Sequence, residues 1–221
     1  MLSNQRKIEA PIQKTRNEYR SVLAKGPMLD RVYSMRYKSY SEKDFIEKST
    51  SEKFMDEFDG TQNCHSFLTF HEGKAIGSIR GCLHDPSQNF SIPIVDVFFN
   101  EIRQSVGFDQ KMLEINKFVI APHFQRRGGL RARFAIYDNV VSMAQQNDAR
   151  YLVAGVREEH IGYNQKMFGF ELASDLLSYP HLNFKTALMV CEDINAVKEK
   201  IDSKLKPRKS FDDSSPRYGV C

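Results

Sequence analysis

The stretch 112–146 restricts the fold of this chain more than any other. MLEINKFVIAP alternates as a central strand over about 112–120, and Pro122 stops it. The segment Gln125-Arg126-Arg127-Gly128-Gly129-Leu130 comes next and opens a long amphipathic helix, with Leu130, Phe134, Ile136, Tyr137, Val140, Val141 and Ala144 as its buried positions. A strand, a glycine pair and a helix in that order gather backbone N–H groups at the helix start, where the partial positive charge favours a phosphate. Arg126, Arg127, Arg131 and Arg133 add cations to the same junction. A sharp strand-to-helix turn also needs glycine for steric reasons, so the local residues leave an anion site and a plain turn both open.

The flanking sequence supplies partners for this unit. Ile12, Tyr19, Val22 and Leu23 predict a first helix over 11–25, ended by Gly26-Pro27, and Met28, Leu29, Val32, Met35 and Tyr40 predict a second running to about Ser41. SFLTFHEGKAIGSIRGCLHD predicts strands at about 65–71 and 75–83 joined by a turn around Glu72-Gly73-Lys74. A short helix within 92–103, a strand at 150–156, a helix at 159–168 and a last strand at 184–192 complete the pattern. The economical reading is one α+β domain, a sheet flanked by helices, over 1–197. It would have an N-terminal helical segment over 1–45 and a charged, flexible tail over 198–221 that begins as a frayed helix.

Charge and cysteine content exclude several classes. The net charge is +4, but both ends are basic and the body is acidic, which argues against a uniformly basic nucleic-acid surface. No apolar run reaches the roughly 18 residues of a membrane span, and no apolar core of a signal peptide follows the N-terminus. The 4 cysteines lie far apart with no CxxC, which fits a reduced, cytoplasmic protein. The 6 histidines show no metal-ligand spacing, so no metal site is expected.

The order hairpin, central strand, Gly/Arg turn, long helix, strand, helix, last strand resembles the GNAT-type N-acyltransferases. Their turn reads Gln/Arg-x-x-Gly-x-Gly/Ala; Gln125, Arg127, Gly128 and Gly129 fit it, and Leu130 stands where a small residue is usual. A closer resemblance, over about 28–192, is to the autoinducer (acyl-homoserine-lactone) synthases and the related long-chain N-acyl amino acid synthases. It rests on Arg36 with Tyr40 four positions on, Asp56-Glu57-Phe58-Asp59, Gly77-Ser78-Ile79-Arg80 and Glu114-Ile115-Asn116-Lys117-Phe118. Lys117 replaces the Arg of the Glu-x-x-Arg-Phe strand, and Phe45 stands near the usual Trp of the autoinducer synthases; the absence of Trp favours the amino acid synthases.

This resemblance implies a mostly antiparallel, GNAT-like mixed sheet and transfer of a fatty acyl group to the amine of an amino acid. The donor would be acyl-CoA or acyl carrier protein, with no tightly bound cofactor. Acetyl-CoA-dependent acetylation and ligand binding without turnover are the alternatives. Glu114, Arg80 and Lys117 are the implied catalytic residues. Glu114 would accept the amine proton, or else form a structural ion pair with Arg80 or Lys117; positions 114 and 117 face opposite sides of a flat strand, so the second pairing needs a bulge. Arg80 would bind an acceptor carboxylate or orient the acids. Arg36, Tyr40, Asp56 and Asp59 would fold the N-terminal segment over the acceptor. Phe118, Val119, Ile120, Gln125, Arg126, Arg127, Gly128 and Gly129 would hold the donor. Tyr163 is a hydroxyl that could protonate the thiolate, and it reads equally as a surface aromatic; a pantetheine thiolate can also leave with solvent help.

Overall fold

A computed structural model of the chain describes residues 19–125 and 129–206. Its strands are β1 (Tyr19–Leu23), β2 (Cys64–His71), β3 (Lys74–His84), β4 (Met112–Ile120), β5 (Tyr151–Val156), β6 (Glu171–Leu172), β7 (Leu177–Ser178) and β8 (Lys185–Cys191). Its helices are α1 (Pro27–Ser41), α2 (Val95–Ser105), α3 (Pro122–Gln125), α4 (Gly129–Gln146), α5 (Glu158–Phe168) and α6 (Ile194–Leu205), with a 3₁₀ turn at Glu57–Gly60. The sheet runs β1-β2-β3-β4-β5-β8-β6, with β7 also paired to β8. Neighbours are antiparallel except β4 and β5. The expected α+β class and mostly antiparallel sheet are what the chain adopts. None of the described helices is long and apolar enough to cross a membrane.

Strand alternation divides the core in two. Ile79, Leu113 and Ile115 face a layer that includes Phe134, Val140 and Met143 of α4 and Ile201 of α6. Cys82, Met112, Val153 and Leu188 face the opposite layer, with Phe98 and Ile102 of α2. Between β2 and β3, Glu72 (φ 48) and Gly73 (φ 74) both take positive φ, the two-residue geometry that matches strand twist. The same register sets Cys64 opposite Cys82, and the two form a disulfide. The expectation of reduced cysteines is corrected at this pair: a spacing of 18 residues concealed a pairing that the hairpin creates.

One expectation of secondary structure is corrected. Residues 19–23, read as the end of a first helix, form β1 on the edge of β2, with Tyr19 opposite His71 and Leu23 opposite Phe67. Helix propensity is a weak prior, and the β2 edge offers a full row of backbone partners. Residues 11–18 lie outside the described residues. The helix expected from Lys198 is the greater part of α6, and Val197, Ile201 and Leu205, four apart, are buried within a charged sequence.

Candidate functional site

The site starts from an irregularity in β4. Met112, Glu114 and Asn116 face the α2 side and Leu113 and Ile115 the α4 side, as alternation requires. Against β3, Asn116 pairs with Arg80 and Val119 with Ser78, so three steps on β4 match two on β3. Lys117, at φ 49, takes up the extra residue. Unbroken alternation would send Lys117 toward α4; the bulge instead sets its Nζ 3.2 Å from Asp56 Oδ2 and 3.8 Å from the Phe54 ring centroid.

Around this bulge lies a buried polar network. Arg36 on α1 donates from one terminal nitrogen to both oxygens of Asp59, at 2.8 and 3.0 Å, and from the other to Ser66 Oγ at 2.7 Å. Arg80 on β3 grips Asp56 with both terminal nitrogens, at 2.5 and 2.9 Å, and donates from Nε to Asn116 Oδ1 at 2.8 Å. Asn116 donates in turn to Glu114 Oε1 at 2.7 Å, and the backbone N–H of Ile94 donates to Glu114 Oε2 at 2.9 Å. Asp56 and Asp59 are held before they meet the arginines: Asp56 accepts from Phe58 N, and Asp59 accepts from Asp56 N, a capping box on the 3₁₀ turn. Arg36, Arg80 and Glu114 are each 1% exposed or less.

Burial sets the protonation of this cluster. Removal from water raises the Glu114 carboxyl to about 7, against the bonds from Asn116 and Ile94. Removal from water also lowers the Lys117 ammonium to about 8, although Asp56 pulls the other way. Burial alone would raise Asp56, but the hydrogen bonds and charge of Arg80, with Lys117 beside it, hold it at about 2. Two groups near neutrality thus sit beside a carboxylate that stays ionised.

Next to the network the sheet opens. β4 and β5 pair only from Met112–Glu114 to Tyr151–Val153 and then part. The gap is a cleft of about 400 Å³ lined by Asn116, Lys117, Phe118, Val119, Ile120 and Gln125 on one side and by Ala154, Val156, Tyr137 and Tyr163 on the other. That volume lies within the roughly 300–1,000 Å³ of small-molecule pockets. Tyr40, Phe45 and Phe184 close it above, with Phe45 and Phe184 rings 5.0 Å apart and the Arg157 guanidinium 4.2 Å from the Phe45 ring. Asn183 fastens this cover, donating from its backbone to Phe45 O at 2.9 Å and from its side chain to Asp44 O at 3.0 Å.

The structure therefore gathers Glu114, Arg80, Arg36, Asp56, Asp59 and Lys117 into one network and places Tyr40, Phe118, Val119, Ile120, Gln125 and Tyr163 with Lys117 around one cleft. Glu114 pairs with neither Arg80 nor Lys117 directly: Asn116 and the Ile94 backbone occupy its oxygens. Arg80 orients the acids, the second of its two expected roles. Gly129 begins α4, and Arg126, Arg127 and Gly128 lie outside the described residues. Of the flanking arginines, Arg133 lines the cleft, 5.3 Å from the Tyr163 ring, while Arg131 donates to the carbonyl of Leu205 at the end of α6. Sequence reasoning missed Asn116 as the link between Arg80 and Glu114, although it lies inside the Glu-x-x-Lys-Phe motif. It also missed Arg157 and Phe184, for which no local signal exists.

Residues 31–192 match the sequence profile of the family described as N-acyl amino acid synthase FeeM. No curated protein matches the chain. Among solved structures, FeeM, an N-acyl amino acid synthase from uncultured soil microbes, is 14% identical with a TM-score of 0.65, covering 84% of this chain and 94% of its own. The acyl-homoserine lactone synthase LasI is 14% identical with a TM-score of 0.57, over 78% and 89% of the two chains. BjaI, a CoA-dependent acyl-homoserine lactone synthase, is 10% identical with a TM-score of 0.56, over 81% and 83%.

Proposed function

On the premise that this chain belongs to the N-acyl amino acid synthase family and is an N-acyltransferase, we propose that it moves a fatty acyl group from a pantetheine thioester to the amine of an amino acid. The observation that carries this reading is the cleft between β4 and β5, which is walled by Phe45, Phe118, Ile120, Val156 and Phe184 and reaches along β4 to Asn116, the residue that bonds Glu114. An aliphatic chain suits that lining. Arg133, Arg157 and Lys43 at the cleft supply positive charge for the phosphate of CoA or of an acyl carrier protein, and either serves as donor.

In this reading the thioester carbonyl lies against Phe118–Ile120, where backbone N–H groups polarise it. Glu114, raised to about 7, takes a proton from the acceptor ammonium through an intervening water and leaves a neutral amine. The nitrogen lone pair attacks the carbonyl carbon, and the C–S bond breaks. Arg36, Arg80, Asp56 and Asp59 hold the strand and the 3₁₀ turn in register and do not touch the reacting atoms.

Incubation with acyl-CoA and acyl-carrier-protein donors from C4 to C16 plus a mixture of amino acids tests this directly. N-acyl amino acids detected by mass spectrometry, with matching thiol release, are the expected result. Thiol release without an acylated amine, or only acetylated products, would overturn it.

A further inference from the structure

We propose that Lys117 is the proton donor to the departing thiolate, an assignment that rests on the acyl-transfer reading above. Lys117 has the position for this role. The bulge in β4 turns it out of the alternation of the strand, and the residue lines the cleft beside Asn116 and Phe118, where the carbonyl and sulfur of a bound thioester would lie. Asp56 fixes the ammonium from one side and the Phe54 ring face from another. Asp56 is itself gripped by Arg80 through two hydrogen bonds, so it stays ionised and orients the ammonium without removing its proton.

The residue type matters as much as the place. The families this sequence resembles carry Arg at the position of Lys117. A guanidinium remains protonated throughout the working pH range and serves as a fixed charge, whereas a buried ammonium can release a proton. The charged groups facing Lys117 are Asp56 on the 3₁₀ turn, Arg80 on β3 and Arg36 on α1; the two arginines and burial together outweigh Asp56 and bring the ammonium to about 8. A thiol has an ordinary pKa near 8.5, so transfer from Lys117 to a thiolate is close to thermoneutral. Across the cleft, Tyr163 and Tyr137 are alternative hydroxyls, but burial pushes both above the ordinary phenol value and so further from a thiolate.

The step balances. The acceptor ammonium gives one proton to Glu114, and its lone pair forms the C–N bond as the carbonyl pair moves to oxygen. When that pair returns, the C–S bond breaks and sulfur takes a proton from the Lys117 ammonium. The neutral Lys117 amine then recovers a proton from the still protonated amide nitrogen. Thiol and amide leave, Lys117 is reset, and Glu114 releases its proton to solvent.

The test varies the leaving group. The unmodified protein and Lys117→Arg are given an amino-acid mixture with the decanoyl thioesters of CoA, acyl carrier protein and thiophenol; the last has the most acidic thiol and least needs a proton donor. Lys117→Arg should lose about a hundredfold or more in kcat with the carrier thioesters, and that deficit should shrink at least tenfold with the thiophenol ester. The kcat of the unmodified protein on decanoyl-CoA should fall as pH rises past about 8, a limb absent with the thiophenol ester. That profile decides the matter even if Lys117→Arg fails to fold. Glu114→Gln should be equally slow with all three donors. A Lys117→Arg deficit of the same size for every donor, or no deficit, would overturn the assignment while leaving acyl transfer standing. Failure of the unmodified protein to acylate any amine from any donor would overturn the acyl-transfer reading and this role with it.

Discussion

Arg80, itself 1% exposed, binds Asp56 with both terminal nitrogens and Asn116 with Nε, and it lies 3.1 Å from Asp59 as well. Removing it would leave buried carboxylates short of a partner, which costs about 3–5 kcal/mol. Arg80→Met should therefore lower the urea-unfolding free energy by that amount at neutral pH, and a loss below about 1 kcal/mol would mean that water enters the cluster. The residues of this network were legible from four spaced motifs. Their partners were not, because a motif gives residue types at intervals and a hydrogen bond depends on where the neighbouring strand places its atoms. Asn116 shows the difference: adjacent in sequence to Lys117, it becomes a link only because Arg80 lies opposite it on β3.

At the scale of elements, the approach of α4 to the sheet is decided at Gly77. A Cβ there would stand 2.4 Å from Ile136 Cδ1 and 2.7 Å from the backbone oxygen of Val119. The side chain can shift; the β4 backbone, which walls the cleft, cannot do so freely. Gly77→Ala should destabilise the protein by about 1–3 kcal/mol and also lower acyl transfer, since the displaced strand carries Phe118–Ile120. Normal activity in a destabilised Gly77→Ala protein would show that α4 yields instead. Elements with strong local signals were read closely: β4 matches its expected range, and the β2–β3 turn has the glycine its geometry requires. β1 was read as helix, and β6 and β7, of two residues each, were not seen. Short edge strands carry too few residues for a periodicity and exist because a neighbour offers backbone partners.

For the whole molecule, the buried Glu114 links stability to pH. Its carboxyl titrates at about 7 in the folded chain against an ordinary 4.5, so between those values the native state keeps a proton that the unfolded chain has lost. Stability due to this group is present below 4.5 and falls as pH rises to about 7, by about 3 kcal/mol in all. Lys117 acts in the opposite sense at higher pH: from about 8 to 10.5 the unfolded chain holds the extra proton, and stability rises with pH. Glu114→Gln should gain on the unmodified protein by about that amount between roughly pH 4.5 and pH 7.5 in urea unfolding. A pH-independent difference would place the carboxyl in contact with water. The sequence by itself determined the order of most elements, the hairpin and the family, because turn chemistry, periodicity and motif spacing are properties of short windows of chain. The tertiary structure alone decided which way the bulge turns Lys117, where β4 parts from β5, the clasp of Asn183 on residues 44–45 and how far burial shifts Glu114. Each of these depends on residues distant in the chain meeting out of reach of water, and contact and desolvation exist only once the sheet has closed.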